Sequence, residues 1–222
     1  MVKLTFLGHA CFLIEDGTHR LLVDPYLTGN PLAAVTADEA EADYIFITHG
    51  HGDHIGDAVP VAKRCGAQII TTVDLADSML DDDDLRVTAG NIGGKVPLPF
   101  GSVRFFQAIH GSGAAGTLSS GFIFEIGGKK IYHAGDTALM TDMQLLAEEE
   151  LDAALLPIGD FYTMGPKEAL RAAKMIKARL TIPMHYNTFP HITQDGEAFA
   201  QSVREEGMNA LVLQPGETIE LG

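Results

Sequence analysis

The run DYIFITHGHGDH, residues 43–54, constrains this chain more than any other stretch. It begins as an apolar, β-branched and aromatic segment, the pattern of a strand buried within a sheet. It runs straight into His49, His51, Asp53 and His54, four ligand-type side chains within six positions, separated only by glycines. Alternate residues of a strand share a face, so His49 and His51 reach one cation together. Asp53 and His54 lie beyond Gly52, which is expected to turn the chain and aim them at a second spot nearby. Imidazole and carboxylate together suit zinc, with manganese, iron or nickel as alternatives.

Three further candidates sit where β-type runs give way to loops. His110 closes VRFFQAIH, Asp136 closes KKIYHAGD and His185 closes LTIPMH. A lone residue of this kind is usually a structural or capping group. Three of them, added to the dense cluster, point to strand ends converging at one rim.

The surrounding pattern supplies the strands. KLTFLG, CFLIED and RLLVDP are short apolar runs separated by turns, and AQIITT follows a helix-like GDAVPVAKRCG closed by Gly66. VDLADSML reads as a short helix, and KVPLPF, SVRFFQAIH, GFIFEI and KKIYHAGD as strands. Gly127–Gly128 between the last two marks a hairpin. The final third alternates: helices near 141–149, 166–178 and 195–206, strands AALLPIG, LTIPMH and ALVLQP. Two β-rich halves with helices outside predict an α/β fold, a four-layer αββα sandwich, as one domain over residues 1–222.

THGHGDH resembles the HxHxDH signature of the metallo-β-lactamase superfamily, and His110, Asp136 in HAGDT and His185 match its later ligand motifs in order. LGHACF, FYTMGPKEA (161–169) and PMHYNTFP (183–190) resemble the compact metal-dependent hydrolases related to the ascorbate-6-phosphate lactonases. The resemblance implies the αββα fold of the metallo-β-lactamase type. It implies two divalent metal ions, one held by His49, His51 and His110, the other by Asp53, His54 and His185, with Asp136 between them. The activity implied is hydrolysis of a small ester, lactone or phosphoester by a metal-bridging hydroxide, with Asp53 orienting the nucleophile or taking its proton. The alternative is a metal-binding sensor or scaffold that has lost hydrolysis.

His9 and Asp24 are expected to support the ligands or the substrate, and Tyr162, Asn187 and Thr188 to line the pocket. His133 is expected to face the core, and His19 and His191 the surface. The Gly- and Ser-rich segment 111–120 reads as a flap over the site. The net charge of −15 repels phosphate backbones and anionic bilayers, which argues against nucleic-acid and membrane partners and leaves a small molecule. No apolar run approaches the ~18 residues of a membrane span. Two distant cysteines, Cys11 and Cys65, and the absence of a signal-peptide pattern place the chain in the cytoplasm, where a homo-oligomer is an open possibility.

Overall fold

The computed structural model describes residues 1–222. Two mixed sheets form its centre. The first has seven strands: β1 (Val2–Gly8), β2 (Cys11–Glu15), β3 (Arg20–Val23), β4 (Tyr44–Phe46), β5 (Gln68–Thr72), β6 (Arg86–Gly90) and β13 (Thr218–Leu221). The second has six: β7 (Lys95–Leu98), β8 (Gly101–Gln107), β9 (Ser120–Ile126), β10 (Lys129–His133), β11 (Ala153–Pro157) and β12 (Thr181–Met184). Each sheet pairs antiparallel through its hairpins, and then turns parallel, from β3 to β6 and from β10 to β12.

Strand periodicity separates the layers. Leu21, Val23 and Phe46 enter the core between the sheets, whereas Leu22 and Ile45 on the same strands face outward. Helices α2 (Ala58–Cys65) and α3 (Val73–Met79) cover that outer face, with Val61, Ala62 and Leu75 packed on Leu22, Ile45 and Ile69. Helices α4 (Pro166–Ile176) and α5 (Gly196–Glu205) cover the second sheet. The layers are therefore αββα. Aromatic rings lock the sheets together: Phe46 meets Phe124 edge-on at 4.8 Å and Phe122 at 5.6 Å. Such pairs add ~0.5–1.5 kcal/mol to the burial of their area.

The β9–β10 hairpin turns on Gly127 and Gly128, both at positive φ, which only glycine adopts freely in this tight loop. Gly66 closes α2 in the left-handed region. Three expectations need correction. Residues 141–149 form a 3₁₀ helix, where Met143 and Leu146 stack at i and i+3 against the core. ALVLQP makes only one bridge, Thr181 to Ala210; Pro215 then lacks an N–H and Gly216 turns the chain to β1. The last strand is β13 instead, and β6, half exposed and weakly apolar, was not anticipated. No helix is long and apolar enough to cross a membrane.

Candidate metal centre

All the strand-end candidates meet at one rim. Gly52 does not turn the chain sharply as expected: it opens a single helical turn, α1 (Gly52–Ile55), which still separates Asp53 and His54 from the two preceding histidines. Gly50 is closely packed: a Cβ there would press on the ends of the Met79 and Leu75 side chains and lie 3.1 Å from the Ser112 carbonyl oxygen. The rings of His49 and His51 meet with Nε2 and Nδ1 2.9 Å apart, and His110 packs on both with ring centres at 5.1 Å. A second group comprises His9, Asp53, His54 and His185. Within each group the ligand atoms lie no more than 4.8 Å apart.

Asp136, in the loop three residues past β10, touches both groups. Its Oδ1 lies 3.2 Å from His54 Nε2, and its Oδ2 lies 3.0 Å from His185 Nε2 and 3.4 Å from His110 Nε2. The contact to His54 is too poorly aligned to be a hydrogen bond. His54 Nε2, Asp136 Oδ1 and both ring nitrogens of His185 are buried without a hydrogen-bond partner. Buried polar atoms left bare are expensive, and a cation would satisfy them together. The residues present therefore fit a metal.

Outer contacts fix how the rings face. The buried Asp24 carboxylate accepts from the Thr48 N–H at 2.8 Å, the Thr48 hydroxyl at 2.7 Å and His54 Nδ1–H at 2.8 Å. That leaves the Nε2 lone pair of His54 aimed into the cluster, the orientation a ligand needs. His49 Nδ1 lies 3.0 Å from the Thr48 hydroxyl and is oriented in the same way. His9 links Thr188 Oγ1, 2.6 Å from its Nδ1, to Asp53 Oδ2, 3.2 Å from its Nε2, while its carbonyl accepts from the His185 N–H at 2.7 Å.

Burial and charge set the protonation of the chain alone. Burial would lower His185, but the facing Asp136 carboxylate raises it to about 9, and Asp136 and Asp24 hold His54 well above the usual range in the same way. Burial would raise the carboxyls of Asp24, Asp53 and Asp136, but neighbouring imidazoles hold all three low. Burial together with His185 lowers His9 to about 4, and burial pushes His49 well below its ordinary value. In effect, attraction between imidazole and carboxylate favours protonated histidines in the metal-free chain, which a bound cation would displace.

Backbone strain concentrates here. Eight residues other than glycine have positive φ, and six of them, His9, Asp24, Asp160, Phe161, His185 and Asn187, belong to the rim or the loops beside it. The rim opens into a cleft of about 700 Å³, which Tyr162 lines together with Tyr26, Phe189 and His191. His191 is exposed as expected, but it stands at the cleft mouth. Asn187 does not line the cleft; its side chain accepts from the Gln194 N–H at 2.9 Å and holds the loop. Thr188 is buried behind His9. His133 is buried, with Nε2 2.9 Å from the Ala10 carbonyl, and His19 pairs with Asp16 far from the rim. The segment 111–120 is anchored rather than open: the Gly50 N–H donates to the Ser112 carbonyl at 2.8 Å, and Gly113 presses on the Gly50 backbone. Thr48, Tyr26 and Phe189 were missed; a threonine ending a strand reads as an ordinary β-former, and the aromatics as packing.

A β-lactamase superfamily domain profile matches residues 3–185. The chain is 45% identical to a UPF0173 metal-dependent hydrolase of Thermus thermophilus, with both chains covered fully. It is 48% identical to another UPF0173 metal-dependent hydrolase, from Thermococcus onnurineus, again over the whole of both. The chain belongs to the UPF0173 metal-dependent hydrolases of the β-lactamase superfamily. The fold is shared with a solved protein: a metallo hydrolase from Ignicoccus hospitalis superposes with a TM-score of 0.92 at 37% identity, over 98% of this chain and 97% of the other. In this family setting, the buried histidines and aspartates at the rim form a candidate metal-binding cluster of a metal-dependent hydrolase.

Proposed function

We propose that the chain is a dinuclear hydrolase of small esters, lactones or phosphoesters, built as one domain. The observation that carries this is Asp136, whose two oxygens face imidazoles of both groups. His49, His51 and His110 would hold one cation, Asp53, His54 and His185 the other, and Asp136 would lie between them. Zinc suits this mixed imidazole and carboxylate set, as do manganese, iron and nickel. Two divalent cations held there would supply hydroxide at neutral pH and a Lewis acid for the oxygen that becomes negative.

The chain's own groups do the rest. Asp53 is the partly exposed carboxylate of the set and lines the cleft, so it meets the substrate side. With its carboxyl held low, it stays ionised and suits orienting a nucleophile and passing a proton on better than storing one. His9, neutral at pH 7, donates from Nε2 to Asp53 and accepts at Nδ1 from the Thr188 hydroxyl, which fixes the carboxylate's direction. A cleft of about 700 Å³ beside these groups favours catalysis over metal binding alone. The unpaired Cys11 and Cys65 suit a reducing, cytoplasmic setting.

The test is turnover by zinc- and manganese-loaded protein on a panel of esters, lactones and phosphodiesters, with Asp136→Ala alongside. Hydrolysis of at least one class by the parent and none by the variant is the expected result. A fully loaded parent inert on every class would overturn the hydrolase assignment.

A further inference from the structure

The walls of the cleft have a chemistry of their own. Tyr26 and Phe189 stack with ring centres 6.2 Å apart and planes 25° apart. Tyr162 lies against Phe161 at 4.8 Å, and Phe161 stacks on His191 at 4.8 Å with planes 17° apart. Phe161 and Tyr162 are 66% and 51% exposed, unusual for rings that could have been buried. Phe161 itself sits at φ 40, a conformation bulky side chains avoid.

The loop holding these two rings is tied down. Asp160 Oδ1 accepts from the Phe161 N–H at 2.9 Å and its carbonyl from the Thr163 N–H at 2.9 Å. The Met164 N–H donates to the carbonyl of Thr137, next to Asp136, at 3.0 Å. Tyr26 follows Asp24 by two residues, and Phe189 follows His185 by four. The aromatic wall is thus fixed to the same backbone that carries the ligand cluster.

No lysine or arginine, of 15 in the chain, lines the cleft. Arg104 pairs with Glu149, and Lys129 and Arg179 with Asp152, while Lys167, five residues after Tyr162, does not line the cleft. An anionic group held away from the metals would lose its hydration and find no cationic donor. A flat ring would find several faces.

We infer that this cleft selects uncharged substrates carrying an aromatic ring, and discriminates against those with a second anionic group such as a phosphate. The inference rests on the hydrolase assignment and narrows it from phosphoesters to neutral aryl-bearing esters or lactones. Tyr26, Tyr162 and Phe189 would hold the ring while the scissile carbonyl reaches the cluster.

Three methyl esters with the same leaving group test it: methyl 3-phenylpropanoate, methyl butanoate and monomethyl succinate. With metal-loaded protein, kcat/KM for the phenyl ester should exceed that for the butanoate by ~10-fold or more, with the succinate lowest. In Phe189→Ala and Tyr162→Ala, the phenyl-to-butanoate ratio should fall by ~3–10-fold each. Equal turnover of phenyl and butyl esters, or preference for the succinate, would overturn the inference. Binding of uncleaved 3-phenylpropanamide, butanamide and succinamate, followed by saturation-transfer NMR, separates it from the hydrolase assignment. If no ester turns over, selective binding of the phenyl amide, lost in Phe189→Ala, upholds the cleft's preference while hydrolysis fails. Tighter binding of succinamate than of the phenyl amide, or no preference between the phenyl and butyl amides, refutes the preference whatever the turnover.

Discussion

Replacing Asp24 by alanine should damage both stability and metal binding, although Asp24 is not itself expected to touch a metal. The carboxylate is fully buried and accepts three hydrogen bonds, from the Thr48 N–H, the Thr48 hydroxyl and His54 Nδ1. The hydroxyl can rotate to another acceptor, but the other two donors cannot. Each buried donor left bare costs ~1–3 kcal/mol, so the metal-free protein should lose about 2–6 kcal/mol. That is a large share of the ~5–15 kcal/mol that holds a typical domain folded. His54 would also lose the partner that directs its Nε2, and loss of such support weakens metal binding by ~10–100-fold. Loaded protein would then lose a further ~1.4–2.7 kcal/mol by mass action. Urea unfolding in chelator measures the first effect, and competition against a chromophoric chelator the second. An Asp24→Ala protein within ~1 kcal/mol of the parent, with unchanged metal affinity, would refute this account of the outer contacts.

Asp136 and His133 lie three residues apart at one strand end yet should behave oppositely: Asp136→Ala loses metal and turnover with its circular dichroism intact, whereas His133→Ala keeps its metals and loses ~1–2 kcal/mol. Metal retention by the first and stripping by the second would require a different ligand set. The Tyr132 hydroxyl is buried without a partner, so Tyr132→Phe should leave stability unchanged or raise it by ~1 kcal/mol in thermal unfolding. Metal-free stability should peak near pH 6.5. His185, raised to about 9, contributes fully below its unfolded value of 6.5 and loses that contribution as pH climbs through about 9. His9, lowered to about 4, costs stability as pH falls from 6.5 towards 4. Urea midpoints that keep rising from pH 6.5 to 9 would contradict the His185 assignment, and midpoints that stay flat or fall from pH 4 to 6.5 would contradict that of His9. Metal occupancy, which needs neutral imidazoles, should fall below about pH 6.

Much of the fold was legible because burial repeats on a short period. Leu21, Leu22 and Val23 alternate between the inter-sheet core and the helix layer, and such alternation is written locally. The residues that gather at the rim were legible for a related reason: each is an unusual residue type close to the end of an apolar run. What could not be read depends on distant partners. His9 meets Thr188 across 179 residues of sequence, and nothing local says that its ring faces Asp53. Of the aromatic wall only Tyr162 was anticipated; Tyr26 and Phe189 were hidden likewise, because these rings share a cleft only when three loops meet. The final strand was misplaced because ALVLQP has the right composition, whereas TIEL has the free neighbour, β1.

The central claim is that Asp136 joins two metal positions. Metal content settles it most directly: protein purified without chelator and titrated with zinc or manganese, then analysed by native mass spectrometry alongside elemental analysis. Two metals per chain at saturation, falling in Asp136→Ala, is the predicted result. A plateau at one metal per chain, or an unchanged count in Asp136→Ala, would contradict the dinuclear centre.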